Sequence, residues 1–216
     1  MNRKTLRILI YSAGVLILVF GLILNTKTGL GCSPILSIAF AVSAIFGCGL
    51  GDVTFVLYAG FVVIELYLSY RMKKDKATSM MVLGQLPFSV VFTRIMNLFS
   101  AKIPMITDQP MAARITALLL AIFFTGVGAA MVLDVKLIAN PADGLVACLS
   151  EYFGKEMGFV KNVFDISCIT IACLICLLLS SPLQGVGIGS VIAMLLTGRV
   201  VALFNRIFRK KIDSLI

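Results

Sequence analysis

The residues best suited to binding chemistry stand at two prolines, each preceded by a side chain that favours a helix N-cap. Ser33-Pro34 and Asn140-Pro141 predict the starts of two helices, because a capping oxygen followed by proline suits the first helical turn. The simpler interpretation is capping alone. The functional interpretation is that each positive helix N-terminus lies inside the protein and binds an anion or a polar head group.

We call these helix starts the first tip, which begins at Ser33-Pro34, and the second tip, which begins at Asn140-Pro141. The two tips differ in polarity. The first tip continues with Ile35-Leu36, whereas the second adds the carboxylate of Asp143. The helix dipole favours an acid in a first turn, so structure alone would explain this residue. An acid at membrane depth also needs a cation, a proton or a basic partner. We therefore expect Asn140, Pro141 and Asp143 to form the more functional tip.

Two arginines, Arg94 and Arg199, lie at matching positions near the ends of two apolar runs. Each either extends to the membrane interface or faces the interior, where it pairs with an acid or binds an anion. Asp52 is the expected partner of Arg94, and Asp143 or Asp165 is the expected partner of Arg199.

Polar side chains also interrupt the apolar runs. Asp165, with Asn162 beside it, is an ionisable residue within a run and hence a functional candidate; pairing with Lys161 is the simpler outcome. Gln85 indicates a position facing the interior, whereas Glu65, nearer the end of its run, is expected to extend to the interface. The candidate solute-binding residues are Ser33, Pro34, Gln85, Arg94, Asn140, Pro141, Asp143, Asn162, Asp165 and Arg199.

Several classes of chemistry are disfavoured by residue type. The chain has no histidine, which removes His-based zinc sites and the usual Ser–His or Cys–His nucleophile pairs. Three of its six cysteines lie within one apolar run, where cysteine packs as a small apolar side chain. We expect no enzymatic activity, no metal and no cofactor.

Composition places these residues in a membrane protein. Of 216 residues, 60% are hydrophobic and 13% charged, and the mean hydropathy is +1.06. Soluble domains carry about 25% charged residues. The net charge of +9 comes largely from basic clusters that flank apolar runs, at 3–7, 71–76 and 206–211. We interpret them as topology signals that stay cytoplasmic, and not as a nucleic-acid-binding surface.

The apolar runs supply the elements that must position the candidate residues. Six are long enough to cross about 30 Å of hydrocarbon as helices, at 6–25, 51–70, 78–99, 114–133, 158–179 and 184–204. The two segments that follow the tips, Pro34–Phe46 and Pro141–Phe153, are short for a span. If both crossed, the chain would have eight spans and the basic cluster at 71–76 would lie outside, against the positive-inside rule. The length of the two segments predicts re-entrant helices. Such helices occur in a membrane only where they are buried in protein or line a water-filled cavity.

The two halves of the chain match one another at an offset of about 107 positions. Glycines, prolines and arginines coincide, including Arg7 with Arg114, Gly21 with Gly128, and Pro34 with Pro141. Such a match predicts an internal duplication with repeats at 1–107 and 108–216. Three spans per repeat keep all basic clusters on one side. The repeats are then inverted copies in an all-α polytopic bundle, each with three transmembrane helices and one re-entrant helix.

Three short motifs resemble a known family. They are Gly29-Leu30-Gly31-Cys32-Ser33-Pro34, Asn140-Pro141-Ala142-Asp143 and Gly185-Val186-Gly187-Ile188-Gly189-Ser190. They are similar to the YczE/YyaS/YitT group of bacterial integral membrane proteins, and the similarity covers nearly the whole chain. The resemblance implies a bacterial plasma-membrane protein and supplies neither catalytic residues nor a substrate.

The sequence favours a small transporter or channel-like protein for a polar or anionic solute or a lipid head group, bound between the two tips. The alternative is a membrane interaction or regulatory protein that assists a membrane-associated complex without transport. We expect a multi-pass protein of the bacterial inner membrane with both termini cytoplasmic. Its partners are the lipid bilayer and an unknown small solute or lipid; a homodimer is compatible with the sequence, and no nucleic acid is expected.

Overall fold

The computed structural model describes residues 3–135 and 137–215, with the backbone alone for 209–215. In this part of the chain all regular structure is helical. The eight helices are α1 (Arg3–Lys27), α2 (Pro34–Phe46), α3 (Leu50–Arg71), α4 (Lys76–Lys102), α5 (Met111–Val135), α6 (Pro141–Phe153), α7 (Met157–Leu178) and α8 (Ile188–Leu215). The predicted polytopic helical fold is confirmed.

Six of these helices are long and apolar enough to span a membrane, and they correspond to the six predicted runs. Exposed faces of the spans carry large apolar side chains, as lipid-facing surfaces require; examples are Ile8, Val56, Val63, Leu119, Phe123 and Ile166. The protein is therefore a multi-pass membrane protein.

The two short helices begin at Pro34 and Pro141, as predicted, and each has 13 residues. A helix of that length reaches about 20 Å, which is less than the hydrocarbon thickness. Helix lengths repeat along the chain: α1 and α5 have 25 residues each, and α3 and α7 have 22. These lengths fit an internal duplication, and the division at residue 107 stays a prediction.

Local chemistry fixes several helix ends. The side chain of Asn140 accepts a hydrogen bond from the backbone N–H of Ala142, and Gly154 ends α6 in the left-handed conformation. Asp75 precedes α4 and accepts hydrogen bonds from the backbone N–H and the hydroxyl of Thr78. These hydrogen bonds lower the pKa of Asp75.

The contacts divide the described chain into two compact units. Unit 1 comprises 1–34, 98–137 and 185–216, and unit 2 comprises 35–97 and 138–184. Each unit therefore draws helices from both halves of the sequence.

In unit 1, α1 and α5 pack closely through glycine. A Cβ on Gly128 would lie 2.6 Å from Leu18 Cα and 2.8 Å from the carbonyl oxygen of Gly14, and a Cβ on Gly21 would lie 2.8 Å from the carbonyl oxygen of Ala121. Residues early in α1 thus face residues late in α5, so the two helices run antiparallel. Gly128 thus serves the close packing of the two helices.

Two arginines at equivalent positions each donate a hydrogen bond to the C-terminal end of the opposite helix of this pair. Arg7, near the start of α1, donates to the carbonyl oxygen of Val135 at the end of α5 over 2.9 Å. Arg114, near the start of α5, donates to the carbonyl oxygen of Thr28 just beyond α1, also over 2.9 Å. Cations favour the negative C-terminal ends of helices. This reciprocal arrangement fits inverted copies, and the inverted relation of the two halves stays a prediction.

The glycine-rich segments 28–33 and 185–190 of unit 1 are joined by backbone hydrogen bonds. The N–H of Cys32 donates to Gly185 and that of Gly189 to Leu30. Gly31 has a φ of 111°, which other residues rarely adopt. Burial raises the pKa of the Cys32 thiol, whose sulfur lies 3.0 Å from the carbonyl oxygen of Gly185. The thiol is therefore protonated and structural.

Unit 2 holds α2, α3, most of α4, α6 and α7. Helix α6 packs on both α3 and α7, and α2 reaches α7 through Ser37, whose hydroxyl lies 3.5 Å from the carbonyl oxygen of Cys168. Aromatic rings of α3 and α4 meet beside α6, with the Tyr58 and Phe92 centroids 5.9 Å apart. Helix α6 thus packs on one span from each half of the sequence, and α2 contacts a span of the other half through Ser37.

Candidate functional site

The second tip, Asn140–Asp143, is built into the interior of unit 2. Asn140 is buried. Its side-chain oxygen accepts from the N–H of Ala142 over 3.1 Å, and its amide nitrogen donates to the hydroxyl of Tyr58 over 3.3 Å. The predicted cap is confirmed, and the same side chain joins the start of α6 to α3 by a hydrogen bond.

Directly beside this cap lies a buried carboxyl–amide pair. Glu65 of α3 is 7% exposed and Gln85 of α4 is 3% exposed. Gln85 Nε2 donates to Glu65 Oε2 over 3.0 Å, whereas Gln85 Oε1 is buried and has no hydrogen-bond partner in the described structure. The prediction that Glu65 extends to the interface is wrong, because its side of α3 faces α4 and α6. The interior position expected for Gln85 is confirmed.

Glycine makes room for this pair on α6. A Cβ on Gly144 would lie 2.7 Å from Gln85 Nε2 and 2.8 Å from Glu65 Oε2, closer than ordinary van der Waals contact allows. The carboxyl and amide groups therefore rest directly on the first turn of α6, and any side chain at position 144 would displace them.

A second set of charges lies on the α7 side of α6. Lys161 Nζ is 3.0 Å from Asp165 Oδ1 and 3.3 Å from Oδ2, so the expected pairing within α7 is confirmed. Lys161 also acts electrostatically on Asp143, which is half-buried and accepts no hydrogen bond from the described residues. Asn162 lies on an exposed face of α7, away from the buried polar groups.

These side chains form a group that we call the tip cluster: Tyr58, Glu65, Gln85, Asn140, Asp143, Lys161 and Asp165. All belong to unit 2. The cluster contains three carboxyl groups and one ammonium group, so acids are in excess. The positive N-terminus of α6 is already faced by the carboxyl groups of Asp143 and Glu65, which would repel a bound anion. The arrangement suits a cation or a neutral hydrogen-bonding group.

The two candidate arginines lie outside the tip cluster. Arg94 Nη1 is 3.1 Å from Asp52 Oδ1, as predicted, and the two side chains are 70% and 53% exposed. The pair sits at the N-terminal end of α3, where the side-chain nitrogen of Asn97 also donates to Asp52 over 3.2 Å. Arg199 is exposed on α8 in unit 1 and forms no ion pair with a described residue. Asp165, one of its two expected partners, pairs with Lys161 instead.

The first tip is simpler. Pro34 is buried and Ser33 is half-buried, and the hydroxyl of Ser33 makes no hydrogen bond within the described residues. At the offset of 107, Asp143 corresponds to Leu36 and Glu65 to Ala172, both buried. Later in the chain the offset falls to 105, as the match of Arg94 with Arg199 shows, and Gln85 then corresponds to Ser190. At the positions equivalent to the two acids the other half of the sequence thus packs apolar side chains, so packing alone does not explain the carboxyl groups of Asp143 and Glu65.

Sequence reasoning missed Glu65 and Gly144 as site residues. Their meeting depends on three helices that are distant in sequence. One signal was present: Tyr58, Phe61, Val62 and Glu65 share the spacing of a single helix face, and that face is buried. Because Glu65 lies on the same helix face as these buried residues, its carboxyl group also points into the protein.

The fold and the tip cluster together define a helical multi-pass membrane protein with one polar, acid-rich tip. The chain belongs to DUF6198, a family of unknown function whose model matches residues 5–206. No curated protein and no solved structure shows a significant match. The family match does not name the YczE/YyaS/YitT group, and that resemblance stays a prediction.

Proposed function

We propose that the protein is a small transporter or channel-like protein of the bacterial plasma membrane, with the tip cluster as its solute site. The observation that carries the proposal is the buried Glu65–Gln85 pair, which retains an unpartnered amide oxygen next to an acid that has no basic partner in hydrogen-bond contact. Both termini on the cytoplasmic side remain part of the proposal.

Two physical arguments support the proposal: the free-energy cost of burying the polar groups, and the different side chains at the equivalent positions of the other half. A buried polar group without a partner costs about 1–3 kcal/mol, and an ionisable residue inside a membrane protein is a functional candidate by default. The equivalent positions of the other half hold Leu36, Ala172 and Ser190. Asp143, Glu65 and Gln85 therefore cost folding free energy that the fold alone does not require.

The charge of the cluster refines the solute class. The sequence pointed toward an anion because Arg94 and Arg199 were candidates for the interior, but both are exposed. The acid excess and the amides instead support a polar solute that is cationic or neutral and donates hydrogen bonds. Solutes of that class bind carboxylate and amide oxygens directly.

The test is solute flux in proteoliposomes, with a panel of small amines, amino acids, polyols and anions. Asp143→Asn keeps the shape of its side chain and removes its charge, so it should express normally and change the rate or its pH dependence. Asn162→Ala is the matched control, because Asn162 lies on an exposed face of α7. Its flux should equal that of the wild type.

Two results would count against the proposal. Asn140→Ala and Asp143→Asn proteins with unchanged flux would remove the tip cluster from the pathway. A protein that moves no solute in the panel, yet co-purifies from native membranes with one stoichiometric partner, would be the non-transporting interaction protein instead.

A further inference from the structure

We propose that Glu65 is the proton-binding site of this protein and that the proton it takes up is the coupling ion for solute movement. The inference rests on the proposed transport function and deepens it. It concerns one carboxyl group in the tip cluster and the amide of Gln85 that contacts it.

The surroundings of Glu65 leave its negative charge without a direct counter-ion. From α4 it is faced by the uncharged amide of Gln85. From α6 the carboxyl group is faced by the backbone of Gly144. The thiol of Cys148 contacts the backbone carbonyl oxygen of Glu65 over 3.9 Å and acts on the carboxyl group only through space. Lys74, beyond the end of α3, acts on Glu65 only through space and is paired with Glu151.

A buried carboxyl group in this position is better suited to exchanging a proton than to binding a metal ion. The part of the chain that the structure describes contains no group of three metal-ligating acidic, cysteine or histidine side chains. A proton also needs no cavity, which suits a pair that already rests on Gly144. Protonation adds H⁺ from water to one carboxyl oxygen, breaks no covalent bond and changes the charge of the group from −1 to 0.

Gln85 can serve both protonation states of Glu65. With Glu65 ionised, Nε2 donates to the carboxylate, as the structure shows. With Glu65 protonated, rotation of the terminal amide would present Oε1 as the acceptor for the new O–H group. This role gives the buried, unpartnered Oε1 a physical reason, since a side chain that donates in one state must accept in the other.

Proton binding is linked to α6 through the helix dipole. An ionised Glu65 is attracted to the positive first turn of α6, on which it rests, and a neutral Glu65 loses that attraction. A second arrangement of α6, with its first turn farther from Glu65, would bind the proton more tightly, and proton uptake would then shift the equilibrium toward that arrangement. The same turn carries Asn140 and Asp143, so the shift is transmitted directly to the proposed solute site.

The experiment is a pH-difference infrared measurement on the full chain in lipid nanodiscs, which reports protonated carboxyl groups directly. The wild type should show a carboxyl band that titrates reversibly. Glu65→Gln should lose the band, whereas Asp52→Asn, which alters an exposed acid on the same helix, should retain it. Absence of a titrating carboxyl band in the wild type, or its persistence in Glu65→Gln, would overturn the assignment.

A second variant keeps the test decisive if Glu65→Gln does not fold. Gln85→Leu removes the donor to the charged carboxylate, and a hydrogen bond to a charged group is stronger than one to a neutral group. The titration midpoint should therefore rise by roughly half a pH unit or more. An unchanged midpoint would show that the titrating group is not Glu65.

Flux measurements separate this inference from the proposed function. In liposomes, an imposed pH gradient should drive solute accumulation by the wild type, whereas Glu65→Gln should only equilibrate the solute. Flux without a titrating band would overturn the proton site and leave the transport proposal standing. A band that titrates in a protein that moves no solute would support proton binding at Glu65 and overturn both coupling and transport.

Discussion

The contact between α1 and α5 makes a quantitative prediction for Gly128→Ala. The new methyl carbon would lie 2.6 Å from Leu18 Cα and 2.8 Å from the carbonyl oxygen of Gly14. These are backbone atoms of a neighbouring span, so relief requires the helices to separate. Overpacking of this kind costs about 1–3 kcal/mol, against about 0.5–1 kcal/mol that alanine regains over glycine within a helix. A net destabilisation of roughly 1–2 kcal/mol is expected.

Gly60→Ala is the matched control, because Gly60 lies within α3 and a Cβ there meets no atom within 4 Å. It should stabilise the protein by about 0.5–1 kcal/mol. The two variants should therefore differ by about 2 kcal/mol, which corresponds to about 4–8 °C in the unfolding midpoint of a chain of this size.

The assay follows from the composition. The chain has no tryptophan, but Cys32, Cys148, Cys168 and Cys176 are free and buried. A thiol-reactive dye therefore reports thermal unfolding in detergent or nanodiscs. A midpoint for Gly128→Ala at or above that of Gly60→Ala would refute the close antiparallel packing of α1 on α5.

Three further predictions follow from the helix ends and the ion pairs. Asn140→Ala removes the cap of α6 and should cost about 1 kcal/mol or slightly more, seen as a lower midpoint in the same dye assay. In a background without native cysteines, an impermeant maleimide applied outside intact cells should label Asp108→Cys and not Lys74→Cys; the reverse pattern would overturn the six-span topology. Asp52→Asn breaks the exposed pair with Arg94 and should change stability by less than about 1 kcal/mol, so a larger loss would show that the pair is shielded from solvent.

Helix positions were predictable from sequence because their causes are local. Long apolar runs gave the six spans, and a cap residue followed by proline fixed the first residue of α2 and α6. The pairing of Arg94 with Asp52 was also predictable, since both residues lie near span ends in one half of the chain.

The arrangement around Glu65 was not predictable by the same means. Its position near the end of α3 suggested the interface, but its environment is set by Gln85 on α4 and by Gly144 on α6. A glycine gives no positive signal of what will rest on it. The exposure of Arg94 and Arg199 was not predictable for a related reason, because the side of a helix that faces lipid depends on the packing of the whole unit.

The interleaving of the two halves has a consequence for biosynthesis. Helix α1 is complete at Lys27, yet the end of α5 that Arg7 contacts is reached only at Val135. At about 5–20 residues per second, the first span waits on the order of 5–20 s for its partner. Throughout that interval its glycine-lined face is open to lipid or to other nascent chains. Mutations that slow synthesis of the second half should therefore lower the yield of protein that is otherwise stable.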